Sequence, residues 1–176
     1  MLFRSFEPGL TAYHLPMVWR LRGELDVAAL EQALLGLITR HAPLRSSFQV
    51  HGHDVVQIIH PTPPFSLVSE ALEGRNSVGV IEEWLEQEKA KPFNLRQGLL
   101  LRCRLLRVAA DEHHLLINQH HVCSDGWSLP ILRRDLIELY NAAHAGRPAN
   151  LQPLAIHYQD YALWQRDRLS GERLQS

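Results

Sequence analysis

The chain has 176 residues, 45% of them hydrophobic and 21% charged, and a formal charge of −1 from 18 Lys+Arg against 19 Asp+Glu. That length gives one domain or part of one, able to build a core without staples, which excludes a disordered tail, a collagen-like rod and a disulfide scaffold. The balanced charge leaves no electrostatic footprint for nucleic acid or an anionic membrane, although eleven histidines carry the total from −1 to +10 on acidification and should shift solubility and stability near pH 6.

Along the chain, Leu15 to Arg22 reads as a strand. Gly23 to Asp26 turns into a helix with Asp26 as N-cap, whose stripe is Leu30, Ala33, Leu34, Leu37, Ile38 and His41. Pro43 stops it. Arg45 to Val50 and Asp54 to Ile59 read as a hairpin around Gly52. Pro61, Pro63 and Pro64 make a stiff connection, after which Ser77 caps a helix carrying Ile81, Trp84, Leu85 and Glu88. Leu99 to Val108 is a long strand with Leu101, Cys103 and Leu105 on one face and Arg102 and Arg104 on the other. His113 to Gln119 is the next strand, and a helix from about Trp127 to His144 follows, closed by Gly146-Arg147-Pro148. A last helix holds Tyr158, Tyr161, Ala162, Leu163 and Trp164. Strand pairs joined by short turns among helices predict an α+β two-layer sandwich, a mixed sheet with helices on one face.

Membrane and metal chemistry find no support in this pattern. The longest apolar run, Ala33 to Ile38, is far below a membrane span, and the start lacks the apolar core of a signal peptide. Two cysteines, Cys103 and Cys123, fit reduced thiols in a cytoplasmic protein rather than a metal cluster.

The most informative stretch is His120-His121-Val122-Cys123-Ser124-Asp125-Gly126, where a strand ends and a helix opens. Alternation puts His121 on the face of Gln119, Ile117 and Leu115, and His120 with Asn118 and Leu116 on the other, if the strand reaches both. Two adjacent histidines so placed cannot share one metal or ligand; one is free for chemistry and the other is locked by packing. Gly126, near the helix start, offers a bare backbone N–H to an oxyanion. Cys123 carries no sign of an activated thiol, and the strand alternation scatters His113, His114, His120 and His121 too widely for zinc.

The string His120-His121-x-x-x-Asp125-Gly126 resembles the signature of condensation domains of nonribosomal peptide synthetases, within the wider chloramphenicol-acetyltransferase-like acyltransferases. Arg40-His41-Ala42-Pro43-Leu44-Arg45 is similar to the family's Arg-His-x-x-Leu-Arg element, and Tyr158-Gln159-Asp160-Tyr161-Ala162-Leu163-Trp164 to its Tyr-x-Asp-Tyr-Ala-x-Trp element. Ser124 to Ser128 is similar to members that join an L-configured donor to an acceptor amino acid. The resemblance spans nearly the whole chain, yet the chain spans less than half of such a domain. The family's first motif, due before Thr11, and the second lobe, due after Ser176, are missing, so residues 1–176 are expected to form an incomplete amino-terminal lobe, inactive alone.

What the resemblance implies is aminolysis of a thioester. The donor acyl group and the acceptor amine ride on 4′-phosphopantetheine arms of two carrier proteins, beside an adenylation domain, with no cofactor bound directly. His121 is the implied base or positioner, worth about 10²–10⁴-fold for a base, with Gly126 the weaker candidate for the oxyanion. His120 is implied to support the site, and Asp125 to pair with Arg45 and fix the loop. The competing readings are a stand-alone acyltransferase using coenzyme A and a non-catalytic lobe that docks carrier proteins. Trp84, Trp164, Tyr158 and Tyr161 are read as core or interlobe packing.

Overall fold

A computed structural model describes residues 12–52, 54–72 and 76–168; the amino-terminal reading of Met1 to Pro8 lies outside them. In chain order the elements are β1 (His14–Arg22), α1 (Val27–Arg40), a 3₁₀ turn (Ala42–Arg45), β2 (Ser46–His51), β3 (Asp54–Ile59), β4 (Val68–Ala71), α2 (Ser77–Ala90), β5 (Leu101–Ala109), β6 (Glu112–His120), α3 (Ser128–His144) and α4 (Tyr158–Arg168). The main sheet runs β1-β6-β5-β4, antiparallel except for the parallel β4–β5 pair, and β2–β3 form a separate hairpin. This is the expected mixed sheet with helices.

The odd-numbered side chains of β5 and β6 make the larger core: Leu101, Cys103, Leu105, Leu115 and Ile117 pack under Leu30, Leu34, Leu37 and Ile38 of α1 and Leu132 and Leu136 of α3. The even-numbered face carries Leu106 and Leu116, covered by Val80 and Trp84 of α2. The sheet is therefore helix-covered on both faces, with the pair α1 and α3 on one and α2 on the other, rather than on one face alone. The strand alternation of Arg102 and Arg104 holds, and it aims them at α2: Arg102 Nε is 2.6 Å from Glu88 Oε2, and the Arg104 guanidinium stacks on Trp84.

Sequence explains the helix ends. Asp26 caps α1 by accepting from the Ala29 N–H at 3.0 Å. Asn76, not Ser77, caps α2, accepting from Val78 N–H at 3.1 Å; the amide lies one residue ahead, in the extended conformation that a cap requires. Strand β4 has no counterpart in the sequence reading, because Val-Ser-Glu-Ala lacks alternation and gains its order only from pairing with β5.

Helix α1 is tied to α3 at both of its ends. The Asp26 N–H donates to Tyr140 Oη at 3.1 Å at one end. At the other, Asp135, with no exposed surface, accepts from Arg40 Nε at 2.9 Å and His41 Nε2 at 3.0 Å on Oδ2, and from Arg134 Nε and Nη2 at 3.0 and 2.7 Å on Oδ1. Arg40 also donates to the Gln152 carbonyl at 2.7 Å, which ties in the segment leading to α4. Between the clamps, Gly36 lets the helices approach, since a Cβ there would lie 3.1 Å from Leu139 Cδ2.

Removing one member of a buried ion pair strands its partners. Asp135→Ala should cost about 3 kcal/mol in urea denaturation, whereas Asp54→Ala, which breaks the exposed Arg166–Asp54 contact, should cost less than about 0.5 kcal/mol.

Candidate active site

Strand β6 ends at His120, so the alternation stops one residue short of His121. The His121 N–H still donates to the Tyr13 carbonyl at 2.8 Å, which extends the β1–β6 ladder by one bond and fixes where the chain leaves the sheet. The two side chains do part: His120 is 2% exposed among Phe93, His14 and Tyr13, and His121 is exposed and lines a cleft of about 320 Å³.

His120 organises the turn from inside. Its Nδ1 accepts the Val122 N–H at 3.1 Å, its carbonyl accepts the Cys123 N–H at 3.0 Å, and its own N–H donates to the Leu100 carbonyl at 3.2 Å. Leu100 in turn donates its N–H to the Leu44 carbonyl at 2.7 Å, so one residue joins the Arg40–Arg45 element to the histidine turn. A backbone kink puts Leu100 there. Gly98 (φ 76°) and Leu99 (φ 51°) are both left-handed, and a Cβ on Gly98 would lie 2.9 Å from His60 Cδ2, so only glycine fits. This kink also moves the start of β5 from the expected Leu99 to Leu101.

The rest of the cleft is lined by His41 just after α1, by Pro43 and Leu44 of the 3₁₀ turn, by Ile131 and Leu132 of α3, and by Ile156, His157 and Tyr158 ahead of and at the start of α4. Asp160 starts that last helix by accepting the His157 N–H at 2.8 Å, which gives the acid of the Tyr-x-Asp-Tyr element a capping role.

Burial sets the electrostatics. It is the largest cause holding His120 down at about 4, with His14 and His121 adding repulsion, so His120 is a neutral hydrogen-bonding group. Burial likewise pushes the Cys123 thiol up to about 12; the thiol donates to the His120 carbonyl at 3.0 Å and is packing, not a nucleophile. Behind His120, Glu88 accepts from Asn118 Nδ2 at 2.9 Å and from Arg102, and the Glu88 carbonyl meets His14 Nδ1 at 3.0 Å. Among the described residues no cluster of three or more His, Cys, Asp or Glu is placed to hold a metal, and no helix is long and apolar enough to cross a membrane.

The expected Arg45–Asp125 pair is not formed. Asp125 is exposed and spends its carboxylate locally: Oδ1 accepts the Ser128 N–H at 2.9 Å and the Ser128 hydroxyl at 2.6 Å, which closes the turn into α3 and holds its carboxyl below the usual range. Arg45 donates instead to the His60 carbonyl and, at 3.4 Å, to that of Thr39, closing the base of the β2–β3 hairpin. The buried acid that pairs with the Arg-His-x-x-Leu-Arg element is Asp135 of α3, to which the sequence reading gave no role. An acid at a core position of an otherwise apolar stripe was the available signal. Gly126 is exposed, with nothing within 4 Å of the place a Cβ would take, and it does not line the His121 cleft.

A condensation-domain family model matches residues 1–176, the whole chain. The chain belongs to the condensation-domain family. It is 39% identical to a linear gramicidin synthase of Brevibacillus parabrevis, over 98% of this chain and 2% of that protein. It is 42% identical to malpinin synthetase of Mortierella alpina, over 93% of this chain and 2% of that protein. Among solved structures, the X-domain from teicoplanin biosynthesis superposes with a TM-score of 0.84 at 34% identity, over 97% of this chain and 37% of that one. The first condensation domain of the calcium-dependent antibiotic synthetase, at 21% identity and TM-score 0.85, shares the fold over 98% of this chain and 42% of that one. This condensation-domain chain therefore spans under half of such solved domains and a few per cent of the synthetases it resembles.

A neutral buried histidine sets a pH dependence. The unfolded chain binds a proton at His120 near pH 6.5 and the folded chain only near 4, so the unfolded state takes up protons first on acidification. Stability present above pH 6.5 should fall by up to about 3 kcal/mol as the pH drops towards 4, and His120→Asn should flatten that slope in urea denaturation at stepped pH. Gly98→Ala should destabilise by more than about 1 kcal/mol, read the same way, because it adds both a strained φ and a contact with His60.

Proposed function

We propose that residues 1–176 are the amino-terminal lobe of a condensation domain and that, completed by the remainder of that domain, the lobe joins a carrier-bound acyl or peptidyl thioester to a carrier-bound aminoacyl group. The observation that carries this reading is the division of labour in the histidine pair: His121 is exposed in the cleft and His120 is buried behind it.

The chemistry follows from that placement. The acceptor amine attacks the thioester carbonyl; a C–N bond forms, the C–S bond breaks, and the amine proton ends on the departing sulfur. His121 acts as base or holds the amine for attack. Much of the remaining acceleration comes from bringing two tethered arms end to end. Gly126 keeps its proposed role at the oxyanion only if the rest of the domain brings the carbonyl to the exposed start of α3. The 4′-phosphopantetheine arms belong to the donor and acceptor carrier proteins, and an adenylation domain loads them; the site of action is cytoplasmic.

The second lobe has a face to cover. Along and just ahead of α4, Ile156, Tyr158, Tyr161, Leu163 and Trp164 are all exposed, Trp164 by 53%, and none of that helix is buried in this lobe. Such a row beside the cleft fits interlobe packing, the role given to Tyr158, Tyr161 and Trp164; Trp84 is core.

The test is paired and uses the intact parent protein with loaded carriers. His121→Ala should lower peptide formation by roughly 10²-fold or more while unfolding at the wild-type temperature. His120→Ala should unfold at a lower temperature first, since it removes the acceptor that shapes the turn. Wild-type turnover by His121→Ala would reject its role; activity with free coenzyme A thioesters but not with carriers would favour the stand-alone acyltransferase.

A further inference from the structure

The cleft holds a second imidazole. His41 ends α1 and lines the same cavity as His121. Its Nε2 lies 3.0 Å from Asp135 Oδ2, and that buried carboxylate also receives Arg40 and Arg134. A carboxylate held by two guanidinium groups stays ionised and only accepts, so the hydrogen sits on His41 Nε2. The other ring nitrogen, Nδ1, is then an acceptor. It makes no hydrogen bond among the described residues and is not one of the buried unpartnered atoms, so it keeps some accessible surface on a ring that lines the cleft. The neighbouring groups favour the neutral ring: burial is the largest cause that lowers its pKa, Arg40 and Arg134 add to this, and only Asp135 opposes. His121, Cys123 and Asp125 from the turn, and His157 and Tyr158 at α4, are the other titratable groups of the lining.

A purely structural His41 would need only its Nε2–H. The geometry points to His41 as a second functional imidazole, locked by Asp135 and taking a hydrogen bond at Nδ1 from the N–H of an amine held in the cleft. This rests on the reading of the cleft as the amine-receiving site. A neutral primary amine has two N–H groups and one lone pair. His121 meets one N–H and His41 the other, which leaves the lone pair to face the carbonyl.

The experiment uses the intact protein. In His41→Gln the side-chain amide nitrogen takes the place of Nε2, so the donor to Asp135 is kept and the Nδ1 acceptor is lost. It should unfold with the wild type and form peptide roughly tenfold more slowly or worse. His41→Asn abandons Asp135 and should be the less stable of the two. A second readout is independent of turnover. In protein with ¹⁵N-labelled histidines, the His41 signals should show hydrogen on Nε2 and none on Nδ1, and the Nδ1 signal should move on titration with L-alaninamide but not with N-acetyl-L-alaninamide. Wild-type turnover by His41→Gln beside an impaired His121→Ala overturns the proposal. So does an Nδ1 signal that ignores L-alaninamide or follows both probes. If His121→Ala is itself fully active, the condensation reading falls, and the nitrogen titration alone decides the role of His41.

Discussion

The carboxylate of Asp135 is the point on which the rest of the lobe turns. It is fully buried, and four donors from Arg40, His41 and Arg134 converge on its two oxygens. An unpaired charge in that position would cost several kcal/mol, so the three partners must stay where they are. Through Arg40 it holds the end of α1 and the segment at Gln152; through its own helix it holds the α3 side of the cleft. One ion cluster thus fixes both walls that face the histidine turn.

The turn itself is fixed from the opposite side by backbone bonds. Leu100 is the relay, joined to Leu44 by its N–H and to His120 by its carbonyl. Its position depends on two successive left-handed residues, a local strain that the surrounding contacts hold in place. The Arg-His-x-x-Leu-Arg element, the Gly98 kink and the histidine pair are therefore one mechanical unit, gathered from three separate stretches of the chain.

The two histidines illustrate how burial divides roles between identical side chains. His120 sits among aromatic rings in surroundings that hold its pKa near 4, so at neutral pH it can only donate and accept hydrogen bonds. His121, one residue on, has left the strand and reaches a cleft. A single step off the sheet separates a buried imidazole from one exposed in a cleft.

The order of strands and helices apart from β4, the apolar stripes of α1, β5 and β6, the Asp26 cap and the parting of the two histidines were all legible in the amino-acid order. They follow from local periodicity and from side chains that bond within a few residues of themselves. The motifs around His120, His41 and Tyr158 also placed the chain in its family. The destinations of the charges were not legible and came from the folded arrangement. Asp125 turned to Ser128, three residues away, Arg45 turned to backbone carbonyls, and Asp135 took the buried partners; β4 formed only by pairing with a strand more than thirty residues later. Local patterns say which groups are polar and on which face, but an ion pair or a parallel strand pair is chosen by which distant element the fold brings within bonding distance.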